Sequence, residues 1–125
     1  MTNVEEPRPD VGPVRRFKDP AYVPQAQTLG ELRSRIDALD TQIVDLLAQR
    51  AVCVRDATRF KQDEFQVAAP ARQAQVYSRV RALAAGHEVG FPGFPDMLEA
   101  TYRTLVAGFI SGEQQFFAET EKVPS

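Results

Sequence analysis

The sequence is poor in the residues from which cross-links, metal centres and nucleophilic sites are built. It has one cysteine, Cys53, which rules out an intrachain disulfide and suits a reducing compartment. It has one histidine, His87, and offers no Ser/His/Asp set and no cluster with metal-ligand spacing. No apolar run approaches the roughly 18 residues of a membrane span, and the N-terminus lacks the hydrophobic core of a signal peptide. A cytoplasmic setting is therefore expected. Nor is there an excess of one charge: 15 Lys and Arg stand against 17 Asp and Glu, a net charge of −2. No global field favours nucleic acid or an acidic membrane, so any anion recognition has to be local. With 125 residues, 43% of them hydrophobic, the chain fits one domain with a real core but not two.

What is present is helical periodicity. Residues 1–27 carry Pro7, Pro13, Pro20 and Pro24 without any period and read as a flexible, Pro-rich arm. Thr28-Leu-Gly-Glu31 then matches a capping box. From Thr28 to Glu64 the apolar residues step by three and four, through Leu29, Leu32, Ile36, Leu39, Ile43 and Leu46, predicting one long helix. Asp63–Ala69 reads as a loop that brings Phe65 and Val67 over a neighbour. Pro70 opens a second helix that ends near Gly86. A third runs from about Pro95 to Glu119, with Gly108 and Gly112 leaving room for close helix approach. The fold class is all-α, three helices with the first the longest, in a helical domain over 28–120 and a short tail over 121–125. A helix of about 35 residues is roughly 50 Å long. Its seam exceeds what the other two can cover, which predicts a homodimer.

One position breaks the seam. Continuing the 3–4 step lands on Arg50, then Cys53, Ala57 and Phe60, and an unpaired buried guanidinium is too costly to keep. Lys61, eleven residues on, returns to within about 20° of the same face if the helix continues. Arg72 lies on the inner side of the second helix, and Glu113 falls inside the apolar stripe of the third. An internal ion network is one explanation for the group. Four cations with Arg33 against one or two acids leave a surplus, however, and a small dianionic ligand balances it better. Arg33 is rotated about 100° from Arg50 and lies about 25 Å away along the axis. It cannot serve the same pocket from the same helix, but a partner's Arg33 can. Cys53 is expected as a small core residue of the seam.

Leu32-Arg33, Ile36-Asp37, Asp40, Leu46-Leu47, Arg50, Arg59-Phe60-Lys61 and Ala69-Pro70-Ala71-Arg72 together resemble the all-helical chorismate mutases. The Arg-Phe-Lys and Ala-Pro-x-Arg stretches are closest to the branch that contains the isochorismate-pyruvate lyases. The resemblance covers roughly residues 29–117. It implies an intertwined homodimer with Arg33 contributed across the interface. Arg50 and Arg33 would hold the two substrate carboxylates. Lys61 would hydrogen-bond the ether oxygen as its C–O bond breaks, and Arg72 would assist at a carboxylate or close the loop. No metal or cofactor is needed, because the reaction requires only confinement and preorganised positive charge.

Four positions depart from the bacterial pattern. Glu113 stands where many of these enzymes have a glutamine facing the ether oxygen. Apolar surroundings raise a carboxyl pKa, and a protonated Glu113 would donate that hydrogen bond. Ala69 and Gln73 replace two acids that bind the ring hydroxyl, with Gln73 still able to hydrogen-bond it. Phe109 replaces a small polar residue. Chorismate rearrangement to prephenate leads. Elimination of pyruvate from isochorismate to give salicylate, rearrangement of an amino analogue, and a non-catalytic helical dimer are the alternatives.

Overall fold

In a computed structural model describing residues 5–124, helix α1 (Leu29–Ala57) starts where its cap predicts. Thr28 Oγ1 accepts from the Glu31 N–H at 3.2 Å, while Glu31 Oε2 accepts from the Gln27 N–H at 3.1 Å. The carboxylate thus reaches one residue further back than in the standard box. Residues 5–27 hold turns and bends without regular helix or strand, and residues 1–4 of the expected arm lie outside the described residues, as does Ser125 of the tail. The arm folds back on the helix start: the Pro9 carbonyl accepts from the Gly30 N–H at 3.0 Å. A Cβ on residue 30 would stand 3.0 Å from that oxygen, which is why glycine occupies it. The Phe17 and Tyr22 rings meet edge to face, with centroids 4.7 Å apart.

The chain divides into two compact units, one up to Ala48 and one from Gln49, with the division inside α1. In the first unit the seam residues Ile36, Leu39, Ile43 and Leu46 are each more than half exposed.

In the second unit the α-helix does not run on to Glu64. It stops at Ala57 and tightens into a 3₁₀ turn over Thr58–Phe60, after which Lys61 is extended (φ −100°, ψ 135°). The Thr58 hydroxyl bonds back to the Val54 carbonyl at 3.4 Å, a local competition that bends helix ends. The Lys61 N–H closes the turn on the Thr58 carbonyl at 3.2 Å. Asp63, expected within a loop, instead caps a one-turn helix α2 (Glu64–Ala68) by accepting from the Gln66 N–H at 2.8 Å. Ala69, in the left-handed region at φ 45°, turns the chain directly into α3 (Pro70–Ala85). Helix α4 (Phe94–Ala118) follows.

Helices α3 and α4 pack around Val76, Tyr77 and Val106, with Val80, Tyr102 and Ile110 against them, and α4 also packs on α2 and the 3₁₀ turn. Val67 of α2 is the most deeply buried of the large side chains, at 1% exposure. The all-α class with three principal helices stands as the periodicity predicts. Gly108 and Gly112 have nothing within 4 Å of a Cβ position, so within the described chain they serve no close approach.

Val67→Ala removes two carbon atoms from a filled site and is expected to lower stability by about 2 kcal/mol, read as a shift in the urea unfolding midpoint at unchanged slope.

Candidate active site

Residues from each of the four α-helices converge on one half-enclosed cavity of about 340 Å³. Its apolar walls come from Val54 and Ala57 of α1, Val67 of α2, Val76 of α3, and Val106 and Ile110 of α4. Among the polar lining residues are Arg50, Lys61, Arg72, Gln73 and Glu113. Five of the six residues singled out by pattern are therefore brought together. Arg33 belongs to the first unit and is not among the lining residues. Cys53, expected as core, is exposed and also lines the cavity. The seam residues Ile36, Leu39, Ile43 and Leu46 are exposed too, so the 3–4 step marks an apolar face of α1 that the described chain does not cover.

Each cation is held by something other than a carboxylate. The half-buried Arg50 guanidinium lies 5.2 Å from the Phe109 ring centroid and 5.8 Å from that of Tyr102. The negative faces of the rings thus hold a charge that the seam argument assigned to an anion. Lys61 Nζ donates to the Gln66 carbonyl at 3.2 Å, and Arg72 Nη1 to Gln75 Oε1 at 2.7 Å. The ion pairs among the described residues join Arg8 to Asp10, Arg59 to Asp56, and Arg81 and Arg103 to Asp96 and Glu99. None draws on the cavity's cations or on Glu113, so an internal ion network does not account for the cluster. Lys61 reaches the cavity because the helix ends before it, not because a continuing helix returns it there.

Glu113 is 7% exposed, and its Oε2 has no hydrogen-bond partner. Burial pushes its carboxyl pKa up, against the opposing influence of the Lys61 charge and the neighbouring Thr58 hydroxyl. A buried carboxyl oxygen without a partner is costly when charged, and it is able to donate once it carries a proton. Thr58, itself 2% exposed, stands behind the cavity wall next to Glu113 and is a neighbour that pattern reading missed. Neither Tyr102 nor Phe109, which the resemblance marked only as replacing a small polar residue, was expected to hold Arg50, although their places seven residues apart on the Glu113 side of α4 are the visible signal. Gln73 is tied at both ends of its amide, to the Ala68 carbonyl and to the Tyr77 hydroxyl. Among the described residues no three His, Cys, Asp or Glu side chains gather as metal ligands would.

A helical unit that surrounds three cations and one carboxyl with apolar walls fits a small organic anion with an apolar body. Comparison with known proteins is more particular. A family model for chorismate mutase type II matches residues 32–114, and the chain belongs to that family. It is also similar to a chorismate mutase of Methanocaldococcus jannaschii, 33% identical over 64 residues, or 50% of this chain. That stretch spans 65% of the relative, just under two thirds of its length.

The raised Glu113 pKa has a sign that stability measurements read. The folded chain keeps this proton above the pH at which the unfolded chain loses it, near about 4.3. The resulting stabilisation is fully present below that value and is lost as pH rises through the folded pKa. In Glu113→Gln this part of the pH dependence of the urea midpoint between about pH 4 and 8 is expected to vanish.

Proposed function

We propose that the protein is a chorismate mutase, converting chorismate to prephenate. The observation that carries the reading is the meeting of Arg50, Lys61 and Arg72 in one apolar-walled cavity with Glu113, whose buried Oε2 has no partner. Family membership and the archaeal relative support it. Chorismate is a dianion whose rearrangement breaks an ether C–O bond while negative charge grows on the oxygen. Arg50, already fixed by two rings, holds a carboxylate without reorganising, and Arg72 assists at the cavity's rim. Lys61 and a protonated Glu113 offer two donors to the ether oxygen, in a space that confines the flexible enolpyruvyl arm.

The second carboxylate is assigned to Arg33 of a second copy in an intertwined homodimer. The support for this is the row of more than half-exposed apolar residues along the first unit's stretch of α1, Ile36 to Leu46, whose burial a symmetric partner would supply. No described helix is long and apolar enough to cross a membrane, and the lone cysteine fits a reducing, cytoplasmic location.

One assay run twice tests the reading: purified protein with chorismate, then with isochorismate, the products separated by chromatography. Prephenate from chorismate is expected. Salicylate and pyruvate from isochorismate with little prephenate would put the lyase first, and neither product would leave a non-catalytic dimer. Arg50→Ala and Lys61→Ala are each expected to lower kcat/KM on the order of 10²-fold or more, the scale of losing one oxyanion-stabilising donor. Wild-type turnover in both variants would remove these residues from the site. The rate is expected to fall as pH rises through the raised Glu113 pKa, and Glu113→Gln to flatten that profile.

A further inference from the structure

Lys61 and Glu113, the two donors assigned to the ether oxygen, share a neighbour that does not itself line the cavity. Thr58 opens the 3₁₀ turn that follows α1, and its carbonyl accepts from the Lys61 N–H at 3.2 Å. The turn packs on α4, and the Thr58 hydroxyl lies beside the Glu113 carboxyl. One residue thus touches the backbone of the first donor and the side chain of the second.

Both side chains are shut off from water, with Thr58 2% exposed and Glu113 7%. Burying a hydroxyl is unfavourable unless it is hydrogen-bonded, and valine would fill the same shape without that cost. The bond from Thr58 to the Val54 carbonyl, at 3.4 Å, is long for an O–H donor, whose usual reach is about 2.5–3.0 Å. A single long bond at a helix end does not account for a hydroxyl in so dry a place. Glu113 does. An ionised carboxylate only accepts hydrogen bonds, so it draws on the Thr58 O–H. A protonated carboxyl leaves that O–H with Val54, the arrangement seen here, in which Glu113 Oε2 has no partner. Rotation of one O–H therefore serves both states of the carboxyl.

Other charged and titratable groups face Glu113 as well. Arg50 and Cys53 of α1, Lys61 and Arg72 of α3 line the same cavity, while α2 brings only the apolar Val67 and Ala68. Asp56, Arg59 and Glu119 stand on the other side of Thr58, around an outer cavity. Among these, the Lys61 charge opposes the effect of burial on the carboxyl, as the Thr58 hydroxyl does.

We propose that Thr58 is a positioning residue, whose hydroxyl fixes the Glu113 carboxyl from behind while its carbonyl holds the turn that delivers Lys61 to the same space. The task of these two donors rests on the chorismate mutase reading.

The test pairs Thr58→Val, which keeps the shape and the backbone carbonyl but lacks the hydroxyl, with Thr58→Ser, which keeps the hydroxyl. The kcat/KM for chorismate is measured against pH. Separately, the Glu113 carboxyl is titrated by NMR in protein isotope-labelled at the glutamate carboxyls, its signal assigned by Glu113→Gln. Removing a donor to the charged form favours the protonated form. In Thr58→Val the carboxyl titration, and with it the fall of kcat/KM as pH rises, is expected to move to higher pH by about half a unit or more, the scale of one net hydrogen bond. On the low-pH plateau kcat is expected to fall by about 5-fold, because the carboxyl is no longer fixed. Thr58→Ser is expected to restore both. In a Glu113→Gln background, Thr58→Val is expected to leave the pH profile as it is. A residue that only packs would lower kcat/KM equally at every pH, and an unmoved titration in Thr58→Val overturns the proposal. So does a shift to lower pH, or a Thr58→Ser profile that follows Thr58→Val. Should Thr58→Val not fold, Thr58→Ala, which lacks the same hydroxyl, is read by the same two outcomes. If chorismate is not turned over, the mutase reading fails, while the NMR titration still decides whether Thr58 holds Glu113.

Discussion

Positive charge gathered around one cavity, with no carboxylate ion-paired to it among the described residues, is the constraint on which the second unit depends. Cations so placed repel one another, and the half-buried Arg50 and Lys61 have lost part of their hydration, so a polar or polarisable neighbour that does not neutralise them lowers the cost. The structure supplies a different one in each case: two aromatic faces for Arg50, a backbone carbonyl for Lys61, and a side-chain amide for Arg72. These neighbours lower the cost of the charge but leave its field available to a ligand. Acids that would quench the cluster lie elsewhere, on the surface between α3 and α4, where Asp96 and Glu99 bind Arg81 and Arg103 instead.

Glu113 fits the same logic from the other side. An ionised carboxylate at this position would neutralise part of the field and repel an incoming dianion. Burial resists ionisation, and the orphaned Oε2 is the cost of that arrangement. Under the proposed function, electrostatic catalysis needs groups already placed for the charge that develops, and an unsatisfied carboxyl before ligand binding is consistent with that. The bend after Ala57 is equally necessary. Only because the helix tightens over Thr58–Phe60 and releases Lys61 into extended backbone do an ammonium and α2 come to the cavity together. Val67, the most buried large side chain, then fixes α2 as a wall.

The two stretches of α1 carry different tasks. Beyond Gln49 it lends Arg50, Cys53, Val54 and Ala57 to the cavity. Before that point it presents an apolar row and a capped, arm-bound start, where Pro9 and Gln25 hold the first turns through Gly30 and Arg35. The exposed isoleucine and leucine at helical spacing are the observation on which the proposed partner-borne Arg33 rests.

Local chemistry was legible in the sequence. The Thr28–Glu31 cap, Pro70 at a helix start and the 3.6-residue period each act within one or two turns, so the all-α class and the extents of α3 and α4 could be read without the fold. Surplus cations at core-like positions and one inward carboxyl likewise singled out Arg50, Lys61, Arg72 and Glu113 before any geometry was known, while Gln73 came from the family resemblance. What the period could not show was where α1 stops being a straight helix, because that depends on Thr58 turning back to Val54 and on Asp63 capping a new turn. Nor could it show that Arg50 rests on Tyr102 and Phe109, or that Tyr77 orients Gln73. Those contacts join residues that are far apart in the chain or face each other only once α3 and α4 have packed. By itself the sequence determined which residues would carry charge and which helices would form, since both follow from side-chain chemistry and short-range spacing. Only the tertiary structure decided which groups satisfy that charge and which are left for a ligand, since satisfaction is a matter of distances between helices.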